Sequence, residues 1–361
     1  MNINVLPFEQ FCNQFSGSLP NLASEPFDLQ PEWFCLVNRT ATTAHSSTAV
    51  AFAEENGTLV FVLPLMIHLD SFFTRSVTGM TCFYTTLFRP YISGTISPAQ
   101  LVLILKKIAK KTRADTFRLD VLDPEHLSFE ALETAFKAAH MSPYRFFYTG
   151  NWFRPTEGVS WEEYLRSLAP KVRNTLKRLG RKFEQEADGK FEVFSTPGAN
   201  LAAAIVDYTS VYESSWKVPE PFSDFVPGLI QLAAENRWLR LGIAYSNNKP
   251  VATQIWLVKN QKAFIYKVAY SEQFSHYSPG TLLTGKLLEH VLDTDKVSEI
   301  DFLLGDDSYK KIWMTDRRER WGMIAFNTTR PIGLLLAIIS GLKVFARRVN
   351  LRSKRDEKKN H

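Results

Sequence analysis

The sequence predicts an α/β protein of two domains with related topology, each a mixed β-sheet flanked by helices. Three observations lead there. At about 150 residues per domain, a chain of 361 residues corresponds to roughly two domains. Runs of alternating apolar residues are interleaved with runs whose apolar residues lie three and four apart, the marks of strands and amphipathic helices. The order of hairpin strands, helix and strand also occurs twice. The two copies flank Thr149 to Gly158, where Gly150, Pro155 and Gly158 interrupt the periodicity. The expected division is 1–150, 151–330, and 331–361 as an apolar helix with a basic tail.

In the first half, STAVAFAE and TLVFVLPLMI flank Asn56-Gly57 and read as a hairpin. Ala99 to Lys111 has helical spacing, TFRLDVL alternates as a strand, Leu127 to Ala139 reads as a helix, and Tyr144 to Tyr148 as a strand. The second half opens with one helix from Leu165 to Phe183. WLRLGIAYS, VATQIWLVK and AFIYKVAYS follow as strands, with turns at Asn247 to Pro250 and Asn260 to Lys262. A helix from about Thr281 to Leu292, the strand EIDFLLG and a helix from about Ser308 complete the pattern. Strand, helix, strand at this spacing implies a right-handed parallel crossover.

Charge is unevenly placed. Of 43 basic and 37 acidic residues, eight and two lie in Lys343 to His361, so the net +6 belongs to that tail and the rest is neutral. A DNA-binding role, which would spread basic character over the fold, is disfavoured. Cys12, Cys35 and Cys82 are few and far apart, which argues against a disulfide framework or zinc cluster and for a reducing, cytoplasmic setting. The seven histidines lack HxxxH-type spacing, so no metal site is expected. The opening MNINVLPFEQFCNQF has no basic n-region followed by an apolar run, so no signal peptide is expected, and no apolar stretch approaches the ~20 residues of a spanning helix.

Two stretches carry the candidate chemistry. In YSEQFSHYSPGTLLTGKLL, Ser278 stands as a helix cap, Pro279 at the first helical position, and Gly280 where backbone is approached closely. Such a helix start after a strand offers free N–H groups to an anion; the alternative is a well-capped helix alone. In DFLLGDDSYKKIW, Asp306, Asp307, Tyr309 and Lys310 cluster past a strand end. An aspartate there serves as base or orients an amine, and a tyrosine protonates a leaving thiolate; the alternative is capping by Asp306 or Asp307. On the first helix of the second half, Lys171, Asn174, Lys177, Arg178, Arg181 and Lys182 form a polar side that reads either as a solvated face or as a landing surface for phosphates. His276 is a weaker candidate base. Trp216 and Lys217 are candidates to border an acceptor cleft, with core packing the alternative for the tryptophan.

The β-meander, then YxxxF…SPGTLL, then DFLxGDDxYKxxW, resembles the cellulose-biosynthesis (CelD-like, BioF2-like) acetyltransferases of the GNAT superfamily, relatives of the tandem-domain Fem aminoacyltransferases. The likeness runs from Trp161 to Trp321 and includes LxxLxxKxRxxLxR, Ser215-Trp216-Lys217 and Lys249-Pro250-Val251-Ala252. The first half follows more loosely, through Pro26-Phe27, Leu63-Pro64-Leu65 and Tyr84 to Tyr91. The resemblance implies tandem GNAT-like domains and transfer of an acyl group from a thioester to an amine in polysaccharide or envelope assembly. It further implies acyl-CoA as a donor substrate and no permanently bound cofactor. Carried over, the donor pyrophosphate falls at Ser278, Gly280 and Thr281, the thioester beside Lys267 and Tyr270, and the general acid at Tyr309 with Asp306 and Asp307 beside it. Trp216, Lys217 and Lys310 then meet the acceptor, a sugar or lipid-linked amine. Gly280 lacks the second glycine of the usual GNAT phosphate loop, which leaves acyl-carrier protein or charged tRNA open as donors; a non-catalytic GNAT-like module in a polysaccharide synthase assembly is the alternative role. The apolar-to-basic run 331–361 reads either as a helix packed on the body with a solubilising tail, or as a peripheral anchor at the inner face of the membrane.

Overall fold

In a computed structural model, residues 1–15, 22–69, 74–94 and 96–342 are described. The chain begins with β1 (Asn2–Pro7), α1 (Phe8–Phe15), α2 (Pro31–Thr40), β2 (Ser46–Glu55), β3 (Thr58–Leu69), β4 (Arg75–Gly79) and β5 (Tyr91–Ile92). Next come α3 (Pro98–Thr112), β6 (Thr116–Leu122), α4 (Leu127–Ala138), β7 (Met141–Pro155), α5 (Trp161–Ser167), α6 (Pro170–Glu186) and β8 (Lys190–Phe194). Then follow α7 (Ala199–Glu213), α8 (Phe225–Glu235), β9 (Leu239–Ser246), β10 (Lys249–Lys259), β11 (Lys262–Tyr270), α9 (Pro279–Asp293), β12 (Glu299–Leu304) and β13 (Asp316–Asn327). Residues 331–342 form a last helix, α10. No helix among the described residues is long and apolar enough to cross a membrane.

The described residues form two compact units. The first takes in parts of Met1–Asn21, Thr42–Tyr148 and Arg320–His361; the second is Leu22–Ala41 with Thr149–Glu319. This differs from a head-to-tail division at 150. Residues 22–41 join the second unit, where Trp33 packs edge-on against Phe225, and the strand after residue 319 joins the first. The chain does pass from the first unit to the second between Tyr148 and Thr149, at the start of the expected boundary stretch, and does so within strand β7.

Each unit repeats one sheet plan. In the first, β1, β2, β3 and β4 run antiparallel, β6 joins β4 in parallel, and β13 pairs antiparallel with β6. In the second, β8, β9, β10 and β11 run antiparallel, β12 joins β11 in parallel, and β7 pairs antiparallel with β12. The fourth-to-fifth connections are the crossover helices α3 and α9. The expected hairpins form because their turns accept positive φ. Asn56 and Gly57 sit at 51° and 79°, and Asn247 and Asn248 at 48° and 61°, as a tight two-residue turn demands.

Two helix expectations need correction. The single helix from Leu165 to Phe183 is broken into α5 and α6: Leu168 and Ala169 are extended because Pro170 starts a new helix and excludes helical geometry just before it. The helix expected from Ser308 is a five-residue 3-10 turn, Ser308–Ile312. In the second unit α9 lays Leu283, Leu287 and Leu288, all fully buried, on the sheet together with Trp256 and Phe183. At about 1.5–3 kcal/mol per fully buried leucine, that face anchors α9 and fixes where its first turn lies.

Candidate active site

The site is built where β11 and β12 part. Their parallel ladder runs only from Lys262↔Glu299 to Phe264↔Asp301, although both strands continue. Beyond that point β11 keeps β10 as its partner, and β12 keeps β7. At the far end of β11 lie Lys267 and Tyr270; at the far end of β12 lie Gly305 to Lys310.

The first turn of α9 is held by a buried polar chain. Gln254 on β10 donates to the Gly280 carbonyl (2.8 Å) and to Thr284 Oγ1 (2.8 Å), while Trp256 Nε1 donates to Gln254 Oε1 (2.8 Å). Ser278 caps differently from expectation. Its side chain makes no capping hydrogen bond and its backbone is left-handed (φ 52°). Pro279 bars Ser278 from right-handed helix, and the Ser278 N–H closes the preceding 3-10 turn, Glu272–Tyr277, onto Ser275 O (2.9 Å). Gly280 faces the Tyr270 ring, which a Cβ would meet at 3.1 Å. Tyr270 in turn packs on Trp216, ring centroids 4.5 Å apart, and the Lys217 ammonium lies over that indole.

Lys267 pairs with Glu220 (2.7 Å). Burial pushes the ammonium groups of both Lys267 and Lys310 below the ordinary lysine range, and the charge of Lys217 adds to each shift. The segment from Trp216 to Glu220 therefore packs on the far end of β11, through Trp216 on Tyr270 and Glu220 on Lys267. Lys310, expected to bind substrate, is committed elsewhere: it is buried, and its ammonium donates to the Phe302 (3.0 Å) and Leu304 carbonyls. It closes the end of β12.

The two aspartates differ. Asp306 receives both Arg317 nitrogens (2.8 Å each) and Trp152 Nε1 (3.0 Å), and the Arg317 guanidinium holds its carboxyl down to about 2. It is ionised and engaged, which suits holding the β7 and β12 ends together and not taking up a proton. Gly150 makes this approach feasible, since a Cβ there would lie 2.2 Å from Asp306 Oδ1. Asp307 is mostly exposed, 4.0 Å from the Lys310 ammonium. Neither aspartate caps the 3-10 turn through its side chain. Tyr309 stacks edge-on against Phe302 and keeps 41% of its surface exposed. Burial of its hydroxyl, with the charge of Asp307, pushes its pKa up to about 12, so it is a protonated donor at neutral pH.

Several supporting residues carried no local signal. Buried Asp301 accepts from Asn151 and from Leu303 N–H, which sits at φ 53° in a bulge, and pairs with Arg318. Arg318 also donates to Asn151 Oδ1 (2.8 Å) and Glu299 (2.9 Å). This network sets the course of β12 just before the Asp306 turn. On α6, Lys171, Lys177, Arg178 and Arg181 are exposed, and Lys182 lies over the Tyr277 ring of the turn before α9.

Residues 170–311 match the model of the acetyltransferase (GNAT) domain. Among solved structures, FemX is similar over 93% of this chain and 100% of its own, at 11% identity and a TM-score of 0.62. A conserved protein of unknown function from Bacteroides thetaiotaomicron is similar over 90% of this chain and 99% of its own, at 11% identity and a TM-score of 0.53. No curated protein matches the sequence significantly. At such identities the two structures speak for the fold alone. The match to the GNAT domain model thus falls within the second unit and takes in the parted strands β11 and β12 and the start of α9. The fold of the chain is related to that of FemX.

Proposed function

We propose that the second unit transfers an acyl group from a thioester donor, acyl-CoA in the first instance, to an amine of polysaccharide or envelope assembly. The observation that carries this reading is the opening between β11 and β12 with the free N–H groups of α9 at one side and the protonated Tyr309 at the other. The backbone amides of Gly280 and Thr281, with the Ser278 and Thr281 hydroxyls, receive the donor's phosphates. Lys217 and the α6 cations supply positive potential along the way. The thioester lies beside Lys267 and Tyr270. The amine attacks its carbonyl carbon, the C–S bond breaks, and the Tyr309 hydroxyl gives its proton to the departing sulfur. Asp307, accessible beside the tyrosine, orients the amine and takes its surplus proton. Asp306 positions this turn through Arg317 and Trp152. Trp216 and Lys217 border the acceptor.

A second reading, aminoacyl transfer from charged tRNA in the manner of the Fem family, is favoured by the exposed cations of α6, which offer a surface for a polyanion. A non-catalytic module would leave the Asp307/Tyr309 pair without a task. A thermal-shift screen with CoA, acetyl-CoA, acyl-carrier protein and charged tRNA separates the readings. A ligand at 100 times its dissociation constant stabilises by about 2.7 kcal/mol. Stabilisation by CoA species supports the first reading; stabilisation by charged tRNA alone replaces it with the second; none from any donor speaks for a binding module.

A further inference from the structure

The helix α10 in the first unit is built inside out. Its small residues face the protein: Gly333 packs so closely that a Cβ would lie 2.2 Å from the Asn327 carbonyl oxygen, Ala337 is buried and accepts from Tyr144 (3.4 Å), and a Cβ at Gly341 would meet the Tyr144 hydroxyl at 3.5 Å. Five of its large aliphatic residues face outward. Leu334, Leu335, Ile338, Ile339 and Leu342 are 39% to 63% exposed. At about 100° per residue they fall on one arc of about 140°, a continuous apolar face. A helix settling on a body in water alone would bury the leucines and expose the glycines. The choice of small residues inward therefore points to an apolar phase on the other side.

Charge says which phase. At the start of α10 a cavity of about 330 Å³ is lined by Lys106, Lys110, Arg113, His140 and Arg330, with no acidic residue in its wall. Arg330 immediately precedes α10 and is held by Asp115 (2.6 Å), which fixes it at the cavity. The segment 343–361 that follows α10 lies outside the described residues, but its sequence carries eight Lys/Arg against two Asp/Glu. An apolar stripe with cations before and after it matches an interface whose interior is hydrocarbon and whose surface is anionic.

We propose that the α10 face, with the basic cavity at its start, is the docking surface of this protein on an anionic lipid bilayer. The helix lies in the plane of the interface, aliphatic face down, with phosphate headgroups meeting Lys110 and Arg113. This surface belongs to the first unit and does not depend on the reading of the transferase site. It also goes beyond an electrostatic tail, because it gives α10 itself the apolar part of the attachment.

The test is co-sedimentation of the full chain with vesicles of phosphatidylcholine alone and of phosphatidylcholine mixed with phosphatidylglycerol, at low and high salt. The wild type should sediment with the mixed vesicles and be released as salt rises. Leu335→Glu with Ile338→Glu, both at outward positions, should lower the partition coefficient by about tenfold or more at an unchanged melting temperature. Lys110→Glu with Arg113→Glu should weaken binding to the mixed vesicles only. Should the double glutamate variant melt early, Leu335→Ser takes its place, with a smaller loss expected. Undiminished sedimentation of the α10 variants would overturn the proposal. So would a wild type that ignores mixed vesicles. A wild type that is dimeric by light scattering and becomes monomeric on Leu335→Glu would assign the face to a second copy instead.

Discussion

A side chain at position 280 has to share space with the ring of Tyr270. The added Cβ would lie 3.1 Å from Cδ1, 3.7 Å from Cγ and 3.8 Å from Cβ of that tyrosine, and Tyr270 is itself backed by Trp216 at 4.5 Å. Gly280→Ala therefore sets a gain of up to about 1 kcal/mol in helix propensity against a few tenths of an ångström of ring displacement, and should leave stability within about 1 kcal/mol of wild type. Gly280→Val adds two methyl groups and should cost about 1–3 kcal/mol, the usual range for overpacking. Trp256, Gln254 and the leucines of α9 stay in place, so the valine protein should fold. Its donor affinity should fall by about tenfold or more, because the branched side chain stands over the amides that receive phosphate. The two effects separate in a double-mutant cycle with Tyr270→Ala: the stability cost of valine should shrink once the ring is gone, while the loss of donor affinity persists. Urea unfolding and calorimetric titration with acetyl-CoA measure the two. Wild-type donor affinity in a folded Gly280→Val protein would remove the α9 start from the site.

Three further expectations concern the strand end and its supports. Tyr309→Phe should lower kcat by about a hundredfold with donor affinity unchanged, read by rapid-quench amine acylation; a full-rate variant would hand the leaving-group proton to water. Arg318→Met leaves the buried Asp301 carboxylate unpaired and should destabilise by about 3–5 kcal/mol in urea unfolding; a cost under about 1 kcal/mol would contradict the network's role in holding β12. Asp306 is held down to about 2, below an unfolded value of about 3.9, so its pairing stabilises fully above about pH 4 and is lost as pH falls toward about 2. The stability difference between wild type and Asp306→Asn should accordingly close over that interval, and a pH-independent difference would refute the ion pair.

What was legible in the sequence was local. Asn56-Gly57 and Asn247-Asn248 announce hairpins because their residue types tolerate positive φ, and Ser278-Pro279-Gly280 announces the start of α9 because proline cannot sit deeper in a helix. The apolar spacing of Leu165 to Phe183 was right in period and blind to the break at Pro170, since one register serves both pieces. What was not legible depends on residues far apart in the chain. Arg317 holds Asp306 across eleven positions, Asn151 meets Asp301 across 150, and residues 22–41 join the second unit by packing Trp33 on Phe225. Lys310 reads as a substrate-binding lysine because it clusters with Asp306, Asp307 and Tyr309 past a strand end; its ammonium instead donates to the Phe302 and Leu304 carbonyls at the end of β12.

The proposed donor site lies between the parted strands, on the first turn of α9. Hydrogen exchange followed by mass spectrometry, with and without saturating acetyl-CoA, tests this at the level of individual peptides. Slowed exchange is expected for the amides of 278–284 and 302–310, with α3, α4 and the rest of the first unit unchanged. Binding of acetyl-CoA that leaves 278–284 at its free exchange rate, or no change anywhere in the second unit at a saturating donor concentration, would contradict it.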